Sequence, residues 1–312
     1  MKSLTPSTTG KQAVSSTLKV EFPARFSRGI ERALRPSAAL LLIPGLLVLG
    51  FLFLWPLGHM IIRSFTDPTL GLGNYQRFFQ TSSAVRSLAT TMKVSFLSTV
   101  ICAVIGYIYA YTMASSSKKV ARILMAAIVL PMGINLLVRT FSLQAILRDT
   151  GVINETLLAL GLILEPLPLI RNQFAVSVGI VSMLLPFMVL PTYNTMVQID
   201  KKLMLAGEGL GAHPWRVFLD IFFPLSLPGL LAGCLIVFVS SLGFYVVPAL
   251  LGGGNEQFFS QTIFFWVRSR GEFGYGAAMG VILLVLTLGT LLLASFFVPI
   301  DKAVSSTAGG KQ

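Results

Sequence analysis

The sequence predicts an all-α membrane protein with six transmembrane helices. Of the 312 residues, 54% are hydrophobic and only 12% are charged, a balance far from that of a soluble domain. The charged residues cluster between long uncharged stretches, and a helix needs roughly 20 apolar residues to cross a bilayer. The formal net charge of +12 therefore indicates membrane topology. We expect no nucleic-acid binding, because the basic residues flank apolar runs.

The predicted organisation begins with a basic cytoplasmic tail, residues 1–35. A secretory signal carries an apolar stretch soon after its first charges, and here none begins before Pro36. Within this tail, residues 22–34 predict either a short basic amphipathic helix on the lipid surface or an unstructured leader.

Six uncharged or nearly uncharged stretches predict the spans. Arg139 interrupts the third, so we expect that helix to continue to about Leu147, with Arg139 facing protein or an interface. Cys102 and Cys234 lie inside spans and are expected to pack as small apolar residues. The predicted spans are residues 36–62, 94–117, 123–147, 174–196, 229–250 and 274–298.

The distribution of basic residues predicts the orientation. Six spans put both termini and the 198–228 loop on one side of the membrane, and that side carries the larger share of the lysines and arginines. Because basic residues concentrate on the cytoplasmic side, we expect both tails, including residues 299–312, and the 198–228 loop to be cytoplasmic.

The 198–228 loop separates two long apolar runs and carries a helical pattern. Small and apolar residues recur in it at spacings of three and four, which would place them on one face of a helix that can dock. Gly211 is expected to end that helix, in a turn that Gly211→Arg would fill with a large side chain. The residues of this stripe are Leu203, Ala206, Gly207 and Leu210.

A second short helix is expected in the same loop. Pro214 suits the first helical position, because proline lacks the N–H group that would be unpaired there. The helix should run to about Ile221, and Pro224 and Pro228 should end it before the next apolar run.

The spacing of this loop resembles that of the cytoplasmic coupling loop of ABC importer permeases. The family pattern is Glu-Ala-Ala, three residues, Gly, nine residues, then Ile, any residue and Leu-Pro. Every interval is kept by residues 205–207, Gly211 and 221–224. Leu205 stands in place of the family's Glu, Gly207 in place of its second Ala, and Phe223 in place of its Leu.

The resemblance implies that this loop docks on an ATPase. The family's Glu is missing, and Glu208 or Asp220 is a candidate replacement. The implied coupling residues are Leu203, Leu205, Ala206, Gly207, Glu208, Leu210, Gly211, Ile221 and Pro224.

Four sequence segments outside the loop resemble segments of permeases of the spermidine and putrescine type. They are residues 146–154, 185–187, 241–253 and 273–278. The resemblance implies a type-1 permease fold with its core at 87–298, which forms half of a bacterial inner-membrane pore. It also implies a homologous second permease, two ABC ATPase subunits and an external solute-binding protein.

Permeases for opines, 4-aminobutyrate and other small amines or amino acids are similar, so these stay open as substrates beside polyamines. A secondary carrier and a scaffold protein are rival classes, and the coupling-loop spacing argues against both.

The sequence offers no enzymatic site. Gly10-Lys11-Gln12 lacks the upstream Gly and the following Ser or Thr of a phosphate-binding loop, so we expect ATP hydrolysis on a separate subunit and no cofactor on this chain. No ligand set surrounds His59 or His213, which predicts no metal site. We therefore expect a transporter subunit and not an enzyme.

Five residues are candidates for the substrate path. Pro131, Pro186 and Pro191 lie within spans, where they either kink helices in the ordinary way or shape a translocation cavity. Glu155 and Glu256 lie in external loops and are candidates for guiding a cationic substrate; the alternative is an ordinary solvated carboxylate.

Overall fold

The computed structural model describes residues 24–254 and 257–297, and the regular secondary structure in these ranges is helical. The predicted tails up to residue 23 and from residue 299 lie outside the described residues. A 3₁₀ turn, Leu130–Gly133, follows α4, and π-helical segments, Phe218–Phe222 and Phe265–Ser269, precede α10 and follow α12. The helices are α1 (Ala24–Thr66), α2 (Gly73–Gln80), α3 (Ser82–Ser115), α4 (Lys118–Val129), α5 (Leu136–Leu147), α6 (Val152–Ala159), α7 (Gln173–Gln198), α8 (Lys201–Gly209), α9 (Pro214–Val217), α10 (Phe223–Leu242), α11 (Val246–Leu251), α12 (Phe259–Phe264) and α13 (Phe273–Phe297).

The predicted all-α membrane class is confirmed. Within the described residues, the lone stretches long and apolar enough to cross a membrane are Ile43–Thr66, Ser82–Ser115, Gln173–Gln198, Pro214–Leu242 and Phe273–Leu293. A bent pair, Lys118–Gly133 and Leu136–Ala159, meets at 102° and supplies a sixth span if it is counted as one. The first of these helices begins at Ala24, so helical structure already includes the end of the predicted tail.

The third predicted span, 123–147, is wrong as a single helix. α4 ends at Val129, and α5 begins anew after the 3₁₀ turn that contains Pro131. Pro131 removes a backbone donor, Leu130 before it keeps helical dihedral angles, and the chain leaves the helical conformation at Ile134 and Asn135. Asn135 then caps α5, its side-chain oxygen accepting a hydrogen bond from Leu137 N at 2.8 Å. The chain therefore turns inside what the sequence presents as one apolar run.

Arg139 faces protein in this broken span, which is one of the two positions expected for it. Its guanidinium donates a hydrogen bond to the Ser182 carbonyl of α7 at 2.6 Å. A charged group at membrane depth is tolerated when a polar partner in the protein receives its hydrogen bonds.

The fifth predicted span, 229–250, is displaced toward the N-terminus. Helical structure continues from Pro214 to Leu242, so Pro224 and Pro228 do not end a helix as expected. Pro224 lies just after the π-helical segment, inside this continuous helix. Pro228 lies inside α10, since prolines are tolerated in membrane helices when neighbouring groups satisfy the freed carbonyl. Gly243 then ends the helix, and α11 is a separate element.

α7 lies at the centre of the bundle and packs most extensively on α3 and α10. Of its most apolar stretch, 56% is buried, against none of the first span. Glycines allow this close approach: a Cβ atom on Gly106 of α3 would lie 2.6 Å from Met188 Cγ, and one on Gly233 of α10 would lie 2.8 Å from Met188 Sδ. Small residues at helix interfaces are typical of membrane bundles.

The two cysteines belong to the core that surrounds α7. Cys102 is fully buried in an apolar cluster with residues of α7, α10 and α11, and Cys234 packs against the same cluster. Both are free thiols. The prediction that they pack as small apolar residues is confirmed.

By its internal contacts the chain divides into two units, residues 1–58 and residues 59–312. In the described part of the first unit, most apolar side chains from Ile43 onward are exposed. Phe51 and Trp55 stack there with ring centroids 5.8 Å apart, as residues one helical turn apart can.

Candidate functional site

α8 is the first helix of the predicted coupling loop, and local hydrogen bonds fix both its ends. Asp200 caps the start, its Oδ1 accepting from Lys202 N at 2.9 Å. Beyond the other end, Gly211 adopts a φ of 85°, a left-handed conformation that glycine reaches at no steric cost. Its N–H donates to the Glu208 carbonyl at 2.9 Å. Gly211 therefore forms the turn after α8, as the sequence indicates.

Gly207 holds α8 against the helical segment that follows it. It is the buried residue of α8, and a Cβ atom placed on it would lie 3.0 Å from Ile221 Cδ1 and 3.2 Å from Val217 Cγ2. The sequence put Gly207 in the same docking stripe as its apolar neighbours. The structure instead turns it inward, onto the chain's own π-helical segment.

The other stripe residues, Leu203, Ala206 and Leu210, face outward, and so does Leu205, a predicted coupling residue outside the stripe. Leu203 is 47% exposed, Leu205 65% and Leu210 90%. Ala206 is also exposed. Large apolar side chains in water are unfavourable, and α8 presents a short apolar surface that the described part of the chain leaves exposed. We use the name outer face of α8 for these four exposed residues: Leu203, Leu205 and Ala206 on α8, and Leu210 at its C-terminal cap.

The second helix of the loop changes type along its length. It starts at Pro214, with the His213 side chain accepting a hydrogen bond from Trp215 N at 3.3 Å. After one turn the backbone becomes π-helical over Phe218–Phe222 and then returns to α-helix as α10. A π segment inserts an extra residue into a helical turn and is frequent at functional sites.

An aromatic stack runs along this segment, and the sequence analysis missed it. Trp215 stacks on Phe218 and Phe218 on Phe222, each with centroids 5.8 Å apart. Tyr111 of α3 meets the last two rings edge-on at 5.3 and 5.4 Å. The stack thus connects the loop to the end of α3. The signal available in the sequence was the recurrence of aromatic residues at spacings of three and four.

The two acidic candidates for the missing family Glu are both on the surface. Glu208 lies on α8 and Asp220 on the π-helical segment, and both are exposed. Pro224 is exposed as well, at the start of α10. Within the described residues neither acid forms an ion pair with this chain.

The candidate path residues are dispersed. Pro186 and Pro191 lie in α7, which continues as a helix through both, while Pro131 lies in the 3₁₀ turn after α4. Glu155 is exposed in the first turn of α6. Glu256 lies outside the described residues. The four described candidates therefore lie on three separate elements.

An ion pair at the other end of the bundle was also missed. Arg77 of α2 forms a two-pronged pair with Glu272, just before α13. The guanidinium lies over the rings of Tyr275 and Trp266, 4.6 and 5.0 Å from their centroids. The Glu272 hydrogen bond raises the pKa of Arg77. Arg77 and Glu272 are far apart in the chain, so no local sequence pattern predicts that they pair.

The family model for the binding-protein-dependent transport system inner membrane component matches residues 102–300. The spermidine/putrescine transport system permease protein PotB of Haemophilus influenzae is 32% identical over 249 residues, which cover 79% of this chain and 85% of that protein. PotB of Escherichia coli is 32% identical over 251 residues, covering 80% and 89%.

A more distant relative and a solved structure extend the comparison. The putative 2-aminoethylphosphonate transport system permease protein PhnU of Salmonella typhimurium is 27% identical over 270 residues, covering 83% of this chain and 91% of PhnU. The crystal structure of a bacterial ABC transporter that imports the acidic polysaccharide alginate contains a chain of the same fold. Its TM-score is 0.70 at 18% identity, over 88% of this chain and 98% of that chain.

These matches confirm the family suggested by the coupling-loop spacing, and with it a transporter subunit and not an enzyme. The chain belongs to the inner-membrane components of binding-protein-dependent transport systems, the multi-pass permease subunits of ABC importers.

Proposed function

We propose that this permease carries polyamines such as spermidine and putrescine inward across the bacterial inner membrane. The observation that carries the substrate class is the 32% identity to PotB, which extends over 80% of this chain. The relatives matched at this level include spermidine/putrescine permeases of Haemophilus influenzae and Escherichia coli.

In this proposal the chain forms half of a pore with a homologous second permease. Two cytoplasmic ABC ATPases supply the energy, and an external solute-binding protein delivers the substrate. The family description, a component of a binding-protein-dependent system, supports the last of these partners. The charge bias of the loops supports an orientation with both termini and α8 in the cytoplasm.

The outer face of α8 is the proposed contact with the ATPase. Its exposed leucines are available to a partner, and the buried Gly207 ties α8 to the π-helical segment and hence to the fifth span. Closure of the ATPase pair on binding ATP would move α8. The contact of Gly207 with Val217 and Ile221 would transmit that movement to α10. The pore would open outward toward the loaded binding protein, and hydrolysis would reset it. Glu208 or Asp220 remains the proposed replacement for the family's Glu.

Glu155 and the three prolines of the predicted substrate path are proposed to act on the substrate or on the helices around it. Glu155 is exposed on α6, where a carboxylate attracts a cation by Coulomb forces that salt screens. The break at Pro131 and the prolines Pro186 and Pro191 of α7 are proposed to give these helices alternative bends.

The test is uptake of labelled putrescine and spermidine by cells with and without this gene. We expect uptake that disappears with the gene, resists excess unlabelled amino acids and requires the partner ATPase. Unchanged polyamine uptake would overturn the substrate assignment. Uptake that follows an ion gradient without the ATPase would instead indicate a secondary carrier.

A second candidate is an aminophosphonate, because PhnU is 27% identical over 83% of this chain. Small amines, opines and 4-aminobutyrate are further alternatives from the sequence. Adding unlabelled 2-aminoethylphosphonate and 4-aminobutyrate in separate arms of the uptake assay distinguishes them, since a true substrate competes and an unrelated solute does not.

A further inference from the structure

A cavity of about 710 Å³ opens between α3, α4, α7 and α8. It lies where α3 and α7 end and where α4 and α8 begin. Ends of spanning helices lie near the membrane surface, so the cavity is at the level of lipid headgroups, on the α8 side of the membrane. The proposed function does not use this cavity.

The lining of the cavity contains both apolar and basic residues. Met113, Met196 and Phe222 are buried members of an apolar cluster that forms part of it. Lys118, Arg122 and Lys201 line it as well and are exposed. The serine hydroxyls of residues 115 and 116 add polar groups beside them. Such a cavity suits an anionic amphiphile.

In the part of the chain that the structure describes, no ion pair compensates the positive charge of this cavity. None of its lining residues is acidic, and within the described residues none of Lys118, Arg122 and Lys201 forms an ion pair. The N-terminus of α4, whose dipole is positive, also contributes, and Ser117 does not cap it with its side chain. Three like charges beside a helix N-terminus favour a bound anion.

We propose that this cavity binds an anionic phospholipid of the adjacent leaflet. The phosphate lies at Lys118, Arg122 and Lys201, and part of an acyl chain lies on Met125 and Met196. Basic cavities between membrane helices on the cytoplasmic side commonly hold acidic headgroups. A free phosphate would contact the three basic residues alone and leave the apolar lining residues without a partner.

Native mass spectrometry of the full-length chain, purified with the subunits it retains, tests the proposal. The delipidated protein is offered dioleoyl phosphatidylglycerol, dioleoyl phosphatidylcholine or inorganic phosphate. We expect preferential retention of phosphatidylglycerol. Replacing the three cations together (Lys118→Gln, Arg122→Gln, Lys201→Gln) should weaken it roughly tenfold or more, because each basic group near a lipid surface adds to the attraction.

A matched control removes three other basic residues from the same side of the protein, Lys119→Gln, Lys202→Gln and Arg216→Gln. These are exposed and do not line the cavity, so retention should change less than about twofold if local contacts dominate over diffuse charge. Ala121→Phe, which adds bulk at a lining position, should weaken retention without any change of charge.

The outcomes separate cleanly. Equal retention of the two lipids, or equal losses in the lining and control variants, would overturn the proposal. Inorganic phosphate that displaces the lipid at equal concentration would indicate an anion site without an acyl-chain site, and unaltered retention in Ala121→Phe would do the same. A lining variant that keeps its lipid but loses a co-purifying subunit would reassign the cavity to a protein partner.

Discussion

Gly207 lies so close to Ile221 that a Cβ atom on the glycine would stand only 3.0 Å from Ile221 Cδ1. The ABC importer pattern described above has Ala at this position and Ile at the other. The two positions that define the pattern are therefore in contact, and glycine brings the two helical segments closer than Ala would allow.

Substitution of Gly207 should uncouple transport according to the size of the new side chain. Gly207→Ala requires Ile221 to give by a few tenths of an ångström and should have a small effect. Gly207→Leu should separate the segments and reduce ATP-dependent uptake roughly tenfold or more, because overpacking typically costs about 1–3 kcal/mol. Uptake rate per inserted permease is the measurement. Gly209→Leu is the control, since nothing lies within 4 Å of a Cβ there; equal losses in both leucine variants would contradict the contact.

The outer face of α8 should contribute to ATPase binding and little to the fold. Leu205→Ser with Leu210→Ser removes two exposed leucines, at 65% and 90% exposure, and should leave thermal unfolding unchanged. If a partner buries them, ATPase co-purification should fall roughly tenfold or more, since burial of each leucine contributes about 1.5–3 kcal/mol. Leu70→Ser is the control, because Leu70 is 87% exposed at the other end of the bundle. Undiminished co-purification in the double variant would refute the assignment.

Gly211 should be sensitive to backbone conformation and insensitive to side-chain size. Its φ is 85°, and no described atom of this chain lies within 4 Å of a Cβ atom built on it, so a side chain here strains the backbone without a clash inside the chain. The expectation that Gly211→Arg weakens ATPase docking stays a prediction. Left-handed backbone costs an ordinary residue about 1–2 kcal/mol, and Asn less. We expect Gly211→Ala and Gly211→Arg to weaken coupling alike, Asn to be milder and Val to be worst. A loss in uptake that grew steadily with side-chain volume would disprove this account.

The Arg77–Glu272 pair should stabilise the attachment of α2 to the last span. Arg77→Lys keeps the charge but loses the two-pronged geometry and the stacking on Tyr275 and Trp266, and should lower unfolding stability by about 1 kcal/mol, with solvent screening included. A double-mutant cycle with Glu272→Gln measures the coupling. Arg268→Lys, at an exposed position, is the control. Strict additivity in the cycle would mean that the pair contributes nothing.

Prediction from the sequence was most accurate for elements whose structure depends only on neighbouring residues in the chain. The span predicted at 174–196 is observed as Gln173–Gln198, because an uncharged run between polar ends has one way to satisfy its backbone in lipid. Gly211 was found for a similar reason, since a left-handed turn selects glycine locally.

The predictions that were wrong or missing concern residues whose structure depends on contacts with residues far away in the chain. Whether a proline breaks a helix depends on its surroundings: Pro131 lies at a break, whereas Pro224 and Pro228 lie in a helix that continues. In the coupling loop, the spacing assigned Gly207 to the same face as Leu203, but contact with Ile221 turns that position inward. The aromatic stack on Tyr111 likewise joins residues from different helices, and periodicity within one segment does not report such pairs.

The unbroken helix from Pro214 to Leu242 has a mechanical consequence. At 1.5 Å per residue it is a rod of about 40 Å, long enough to cross the hydrocarbon core. Trp215 near one end and Leu242 at the other belong to the same rod, with no hinge loop between them. In the proposed mechanism, a push on Trp215 would reach Leu242 as a tilt or rotation of the whole helix, and the π-helical turn at Phe218–Phe222 is where the helix would wind or unwind.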